Sequence, residues 1–222
     1  MENKSKLAAL SDFIRYKYQP NNQSISNRKK ICGVGINDAD YTTNPLTSRI
    51  EHPRCPAYSA WSNMLKRVYD SKVLKKRPTY EDVIVCEEWL IFSNFRKWFI
   101  ENHVDNYELD KDLLIIGNKI YSPEACIYVP SWLNCFIMDC KAVRGEYQIG
   151  VTCDKYNMKY IARCSNTKTK EREYLGYFET ENDAHNAWLS RKLEIAYELK
   201  SEMDEIDVRI YPNIVDIVKS KT

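Results

Sequence analysis

An α+β fold is predicted by three stretches of this 222-residue chain. Leu109 to Asn134 reads as strand, turn, strand and short helix. Residues 145–200 read as three antiparallel strands followed by one helix. Between residues 57 and 100, aromatic and aliphatic side chains recur at helical spacing. The expected architecture is a central strand–strand–helix unit with flanking helices, then a three-stranded antiparallel sheet plus one helix. Residues 1–54 form an N-terminal extension and linker, 55–140 the central unit, 141–200 the sheet unit and 201–222 a tail.

The N-terminal extension carries Leu7, Leu10, Phe13, Ile14 and Tyr16, which suggest a short helix, and Gln19 to Ser24 then reads as a flexible linker. Arg28, Lys29 and Lys30 fit a solvated face or a phosphate contact. Around Gly33 and Gly35 the expectation is a strand leading into an irregular segment, because no strand–loop–helix spacing for a nucleotide loop follows.

The core-building region comes next. Tyr58, Trp61, Met64, Leu65, Val68 and Tyr69 predict one helix, and Trp89, Phe92, Phe95 and Phe99 predict another. Lys72 to Thr79 reads as a basic loop whose Lys75, Lys76 and Arg77 are candidates for phosphate contact. Tyr80 to Cys86 reads as a short strand. Cys55, Cys86 and Cys126 fit either a zinc cluster or buried thiols, and the absence of any Cys-x-x-Cys pair favours thiols.

In the sheet unit, Tyr147–Cys153, Lys159–Cys164 and Glu173–Phe178 are the expected strands. Thr180 with Asp183 three residues later caps the following helix. The tail, with Val208, Ile210, Ile214, Ile217 and Val218, either packs back on the core or stays solvated.

Composition bounds the partners. The chain is 44% hydrophobic with a net charge of +2, so any nucleic-acid surface must arise from local segregation of charge. Such segregation exists between Lys141 and Arg172, where eight basic residues face three acids. No run of about 18 apolar residues is present, so no membrane span is expected. The polar start lacks a secretory signal, and a cytoplasmic location with reduced thiols follows.

The chemistry-bearing groups gather in Leu109 to Asn134. Asp110, Lys111 and Asp112 are consecutive, Asn118 follows Gly117, and Asn134 lies on the expected helix. If the two ends of this unit face one another, Asp110 and Asn134 form an oxygen-ligand site for a hard divalent cation, most simply Mg²⁺. The plain alternative is a salt-bridged strand end with no chemistry.

The set LDKD, GNK, Ser122-Pro123-Glu124 with Cys126, and Val129-Pro130 opening a helix with Asn134 resembles the phage branch of the HNH (His-Me finger) endonucleases. That family builds its site on a two-strand hairpin plus a helix, around one divalent metal. The resemblance implies Asp110 and Asn134 as metal ligands and Asn118 as the residue fixing the loop. Where the family has its histidine base, this chain has Lys111. An ordinary ammonium, with a pKa of about 10.4, holds its proton at neutral pH. Three roles remain open for this position: a lysine depressed by metal and burial, a phosphate-holding lysine with Asp112 or a hydroxide as base, or a dead site. His103, seven residues before Asp110, is a further candidate base if the chain folds back.

Gly150-Val151, Tyr160, Ala162, Tyr174-Leu175-Gly176-Tyr177-Phe178, Thr180, Ala184, Ala187 and Trp188 resemble the plant ethylene-response (apetala-type) DNA-binding domain. The resemblance implies double-stranded DNA as the partner. A twisted sheet of this size enters a major groove about 12 Å wide. Candidate contacts are Arg144, Lys155, Lys159, Arg163, Lys168, Lys170 and Arg172 to phosphate, with an arginine or Gln148 reading base edges. Taken together, the resemblances imply a sequence-specific, Mg²⁺-dependent homing-type endonuclease acting in an infected bacterial cell. The alternative they leave is a non-cleaving DNA-binding regulator or competitor. A protein-interaction module using the aromatic surfaces is the third reading.

Overall fold

In a computed structural model the chain is α+β, with small sheets of which one is three-stranded and antiparallel. Residues 5–20, 22–45, 54–138 and 146–221 are described below. Two compact units are present: Met1–Asp112 with Gly117–Tyr128, and Leu113–Ile116 with Val129–Thr222.

The first unit is built on aromatic packing. Helix α1 (Lys6–Lys17) starts where the Ser5 hydroxyl accepts the Ala8 amide. It buries Ala8, Ser11 and Ile14 and leaves Leu7, Phe13 and Tyr16 exposed, so the small residues rather than the large ones mark its inner face. The expected linker instead contains a short helix, α2 (Asn22–Ser26). The expected strand near Gly33 is a tight turn closed by a bridge between Ile31 and Gly35. Gly35 is required there, because a Cβ would lie 2.3 Å from Leu65 Cδ1.

Helix α3 (Pro56–Tyr69) has proline in its first turn, where the missing N–H costs nothing. It buries Trp61, Met64, Leu65 and Val68. The Trp61 indole donates to the Trp89 carbonyl at 2.7 Å. The basic loop begins as helix α4 (Ser71–Leu74), capped by the Asp70 carboxylate on the Lys72 amide. The strand expected over Tyr80 to Cys86 shrinks to β1 (Ile84–Val85), since a 3₁₀ turn takes Pro78–Tyr80. Helix α5 (Phe92–Asn102) then buries Phe92, Phe95 and Phe99. Each such ring contributes about 1.5–3 kcal/mol by leaving water.

Strands β2 (Tyr107–Asp110), β3 (Ile120–Tyr121) and β4 (Ile127–Pro130) follow. The pairing differs from a simple hairpin. β3 joins β1 in parallel, with Ile84 opposite Ile120, and β2 joins β4. The apolar run Leu113–Ile116 is irregular rather than strand; Leu113 and Leu114 are buried.

The second unit opens with α6 (Ser131–Phe136). Strands β5 (Val151–Asp154), β6 (Lys159–Ser165) and β7 (Arg172–Phe178) form the antiparallel sheet in that order. Helix α7 (Glu181–Glu198) is capped by the Thr180 hydroxyl, which accepts the Asp183 amide. Its Ala184 packs against Val151 and Ala162 of the sheet. Gly150, at φ +84°, passes so close to this helix that a Cβ would lie 2.1 Å from Trp188 Cγ. Arg191 on α7 clamps Glu173 of β7 with two bonds of 2.6 and 2.9 Å. The tail is helical and docked. After α8 (Lys200–Ile206), α9 (Ile210–Lys219) buries Ile210, Ile214 and Val218. Asn213 on α9 donates to the Leu113 and Leu114 carbonyls at 2.8 and 3.1 Å. Among the described residues no helix is long and apolar enough to cross a membrane.

Candidate functional site

Strand β2 ends in Asp110, and the residues between it and β3 form a loop organised by one amide. Asn118 donates through Nδ2 to the Lys111 and Ile120 carbonyls, each at 2.7 Å. Its Oδ1 accepts the Ile120 amide at 3.1 Å. Gly117 precedes it at φ +74°, the left-handed conformation that the turn demands. The loop start and the entry to β3 are thereby tied to one side chain.

Three charged groups sit at the start of that loop. Asp110 and Lys111 are each only 7% exposed, whereas the Asp112 side chain is 44% exposed. Asp110 Oδ1 accepts the Asp112 amide at 2.7 Å. The Lys111 ammonium donates to Asp112 Oδ1 at 2.5 Å and to the Asn118 carbonyl at 3.3 Å. Tyr80 and Tyr121 present ring faces about 6 Å from it. Lys111 is therefore built into the turn as a hydrogen-bond donor.

Asp110, Lys111, Asp112 and Asn118 thus belong to one local arrangement in the first unit. Asn134 lies half-buried on α6 in the second unit. The oxygen atoms of Asp110, Asp112 and Asn134 suit a hard cation by their chemistry. Among the described residues no group of three or more His, Cys, Asp or Glu side chains is placed to hold a metal ion. Cys55, Cys86 and Cys126 are free thiols, and burial pushes the Cys126 thiol up to about 12.

His103 is not free to serve as a base. Its side chain is 6% exposed, packed against Phe99 and Tyr128, and its Nδ1 shares a 2.7 Å hydrogen bond with the Ser5 hydroxyl. Burial holds its pKa below the ordinary histidine value.

The sheet of the second unit separates its side chains by pleat. Val151, Tyr160, Ala162 and Phe178 pack with the α7 residue Ala184. The register sets Thr152, Lys159, Ile161, Arg163, Arg172, Tyr174 and Tyr177 on the opposite face. A β-bulge between Ala162 and Arg163 keeps Arg163 on that face opposite Tyr174. Tyr174 and Tyr177 are 55% and 52% exposed and meet edge to face, with ring centroids 5.9 Å apart. These tyrosines are the face residues that charge counting misses. Their signal is the alternation with small Ala162 and buried Cys164 on the facing strand.

The expected phosphate contacts distribute unevenly. Arg163 donates to the Thr152 hydroxyl at 3.3 Å, and Arg172 is exposed. Lys159 is engaged by Glu179 at 2.7 Å, and Lys168 pairs with Glu202. Lys155 is exposed in the β5–β6 turn, and Lys170 sits at φ +64° in the β6–β7 turn. Gln148 gives its backbone amide to Glu181 at 2.6 Å, and its Oε1 is buried with no partner among the described residues. This burial turns Gln148 away from a base-reading position. Arg144 and Lys141 lie outside the described residues. In the first unit, Lys75, Lys76 and Arg77 form an exposed basic cluster just after α4.

Comparison of the chain with protein-family models, with curated proteins and with solved structures finds no match.

Proposed function

We propose that this chain binds duplex DNA through the outer face of the β5–β6–β7 sheet. We further propose that it cleaves DNA in the manner of an HNH endonuclease, with Asp110 as an oxygen ligand for Mg²⁺ and Asn134 as the second ligand that the sequence resemblance implies. The observation that carries the nuclease reading is the loop held by Asn118. It keeps Asp110, Lys111 and Asp112 in one fixed turn at the end of a strand, as positioned chemistry requires.

When bound, the cation supplies positive charge to the scissile phosphate and the departing oxygen. The chain's own groups then divide the remaining work. Lys111, held as a cation, contacts a phosphate oxygen. Its departure from Asp112 frees that carboxylate to accept the proton of the attacking water. Arg163, Arg172 and the exposed tyrosines hold the duplex by phosphate contact and packing.

A second reading is favoured by one observation. The Lys111–Asp112 ion pair closes on itself at 2.5 Å and occupies both groups. If that pair does not open, the chain is a non-cleaving DNA-binding protein acting at its site.

Gel shift on duplex DNA across a salt series, alongside plasmid cleavage in Mg²⁺, tests both. The nuclease reading expects salt-sensitive binding with cleavage that Asp110→Ala removes. Binding without cleavage moves the conclusion to the second reading, and no salt-sensitive binding removes both.

A further inference from the structure

The second unit holds a cavity of about 480 Å³ lined by Arg163, Arg172, Lys192 and Lys221. Thr152 and Ser165 add hydroxyls, and among the described lining residues there is no Asp or Glu. Lys221 also donates to the Ile137 carbonyl at 2.5 Å, and four cations around one volume favour an anion there.

Lys192 makes the case most sharply. It is 6% exposed, and among the described residues its ammonium has no hydrogen-bond or carboxylate partner. The ammonium lies over the Phe136 ring, 3.5 Å from the centroid, with the Cys164 thiol nearby. A buried ammonium without a counter-charge is costly. Burial lowers its pKa to about 8; Cys164 opposes that shift and the charge of Lys221 adds to it. Among the described residues the Arg163 guanidinium donates to one hydroxyl, so its fork retains donors for a ligand. The volume falls within the range of small-ligand sites, about 300–1,000 Å³.

We infer that this cavity binds the phosphate group of a nucleotide, with Lys192, Lys221 and Arg163 donating to its oxygens. The nucleotide is either free in solution or the end of a DNA strand, and the inference does not rest on cleavage or on duplex binding by the sheet face.

Calorimetric titration of the full chain with thymidine 5′-monophosphate, thymidine and inorganic phosphate tests this. Saturable binding of the monophosphate is expected, at least about tenfold tighter than either fragment. Lys192→Met and Lys221→Gln should each weaken it by about tenfold or more. The second variant, near the chain end, guards against a folding defect in the first. Competition by a 5′-phosphorylated oligonucleotide, but not by its 5′-hydroxyl counterpart, assigns the source to a strand end. Failure of both to compete assigns it to the free nucleotide. Tyr177→Ala, on the sheet's outer face, should weaken duplex binding and leave monophosphate binding intact, which separates this inference from the DNA reading. Equal binding of thymidine or inorganic phosphate, no binding at all, or monophosphate binding unchanged in both lysine variants overturns the inference.

Discussion

Asn118 and Lys111 hold each other. The Asn118 amide donates to the Lys111 carbonyl at 2.7 Å, and the Lys111 ammonium donates to the Asn118 carbonyl at 3.3 Å. This reciprocity closes the loop after β2 and fixes the backbone on which Asp110 and Asp112 stand.

Asn118→Ala removes three hydrogen bonds from that loop. The expected cost is about 1–3 kcal/mol of stability, because the Lys111 and Ile120 groups lose their partner. Hydrogen exchange should quicken at Ile120 while the amides of α3 and α5 stay protected. Unchanged exchange at Ile120 would contradict the role given to Asn118.

Lys111→His replaces a held ammonium by a group whose unperturbed pKa is about 6.5. Plasmid cleavage in Mg²⁺ should fall in this variant, because the ammonium serves the reaction through phosphate contact. A rise would show instead that the lysine occupies a base position.

On the sheet face, Arg172→Ala should lower duplex affinity and reduce the slope of log affinity against log salt by about 1. Gln148→Ala should leave both unchanged, because its side-chain oxygen is buried. Filter binding at several salt concentrations measures the two together.

Much of this fold is legible in the sequence, and the reasons are specific. The Thr180–Asp183 capping pattern and the alternation in β5, β6 and β7 are local signals that translate directly into structure. The parallel pairing of β1 with β3 is not legible, since strands of two residues carry no periodicity. The inner face of α1 is hidden because Ala8 and Ser11 mark it while Leu7 and Phe13 point outward. At the site, Asp110 and Lys111 read as surface charges by type, yet both are buried. Lys192 gives no signal in one dimension, because its cavity is assembled from several separated segments.

Gly150 links a sequence signature to packing. Gly150→Ala places a Cβ 2.1 Å from Trp188 Cγ, at a φ of +84° that L-residues avoid. A loss of about 3 kcal/mol or more is expected, read by chemical denaturation. A loss under about 1 kcal/mol would show that the sheet and helix yield.

His103 sets an acid limit on stability. Burial depresses its folded pKa below the ordinary 6.5. Above pH 6.5 the imidazole is neutral in both states, and its contribution is fully present. As pH falls through 6.5 the unfolded chain takes the proton first, so stability declines until the folded pKa is passed. In His103→Asn the slope of stability between about pH 5 and 7 should flatten relative to the parent chain. Parallel curves would refute the assignment.

The central claim is a positioned carboxylate at Asp110 that serves phosphodiester cleavage, and supercoiled plasmid in Mg²⁺ tests it most directly. The parent chain should convert plasmid to nicked or linear forms, while Asp110→Ala should bind DNA equally well and cut nothing. Equal cutting by the two proteins, or binding by the parent with no cutting at all, would contradict it.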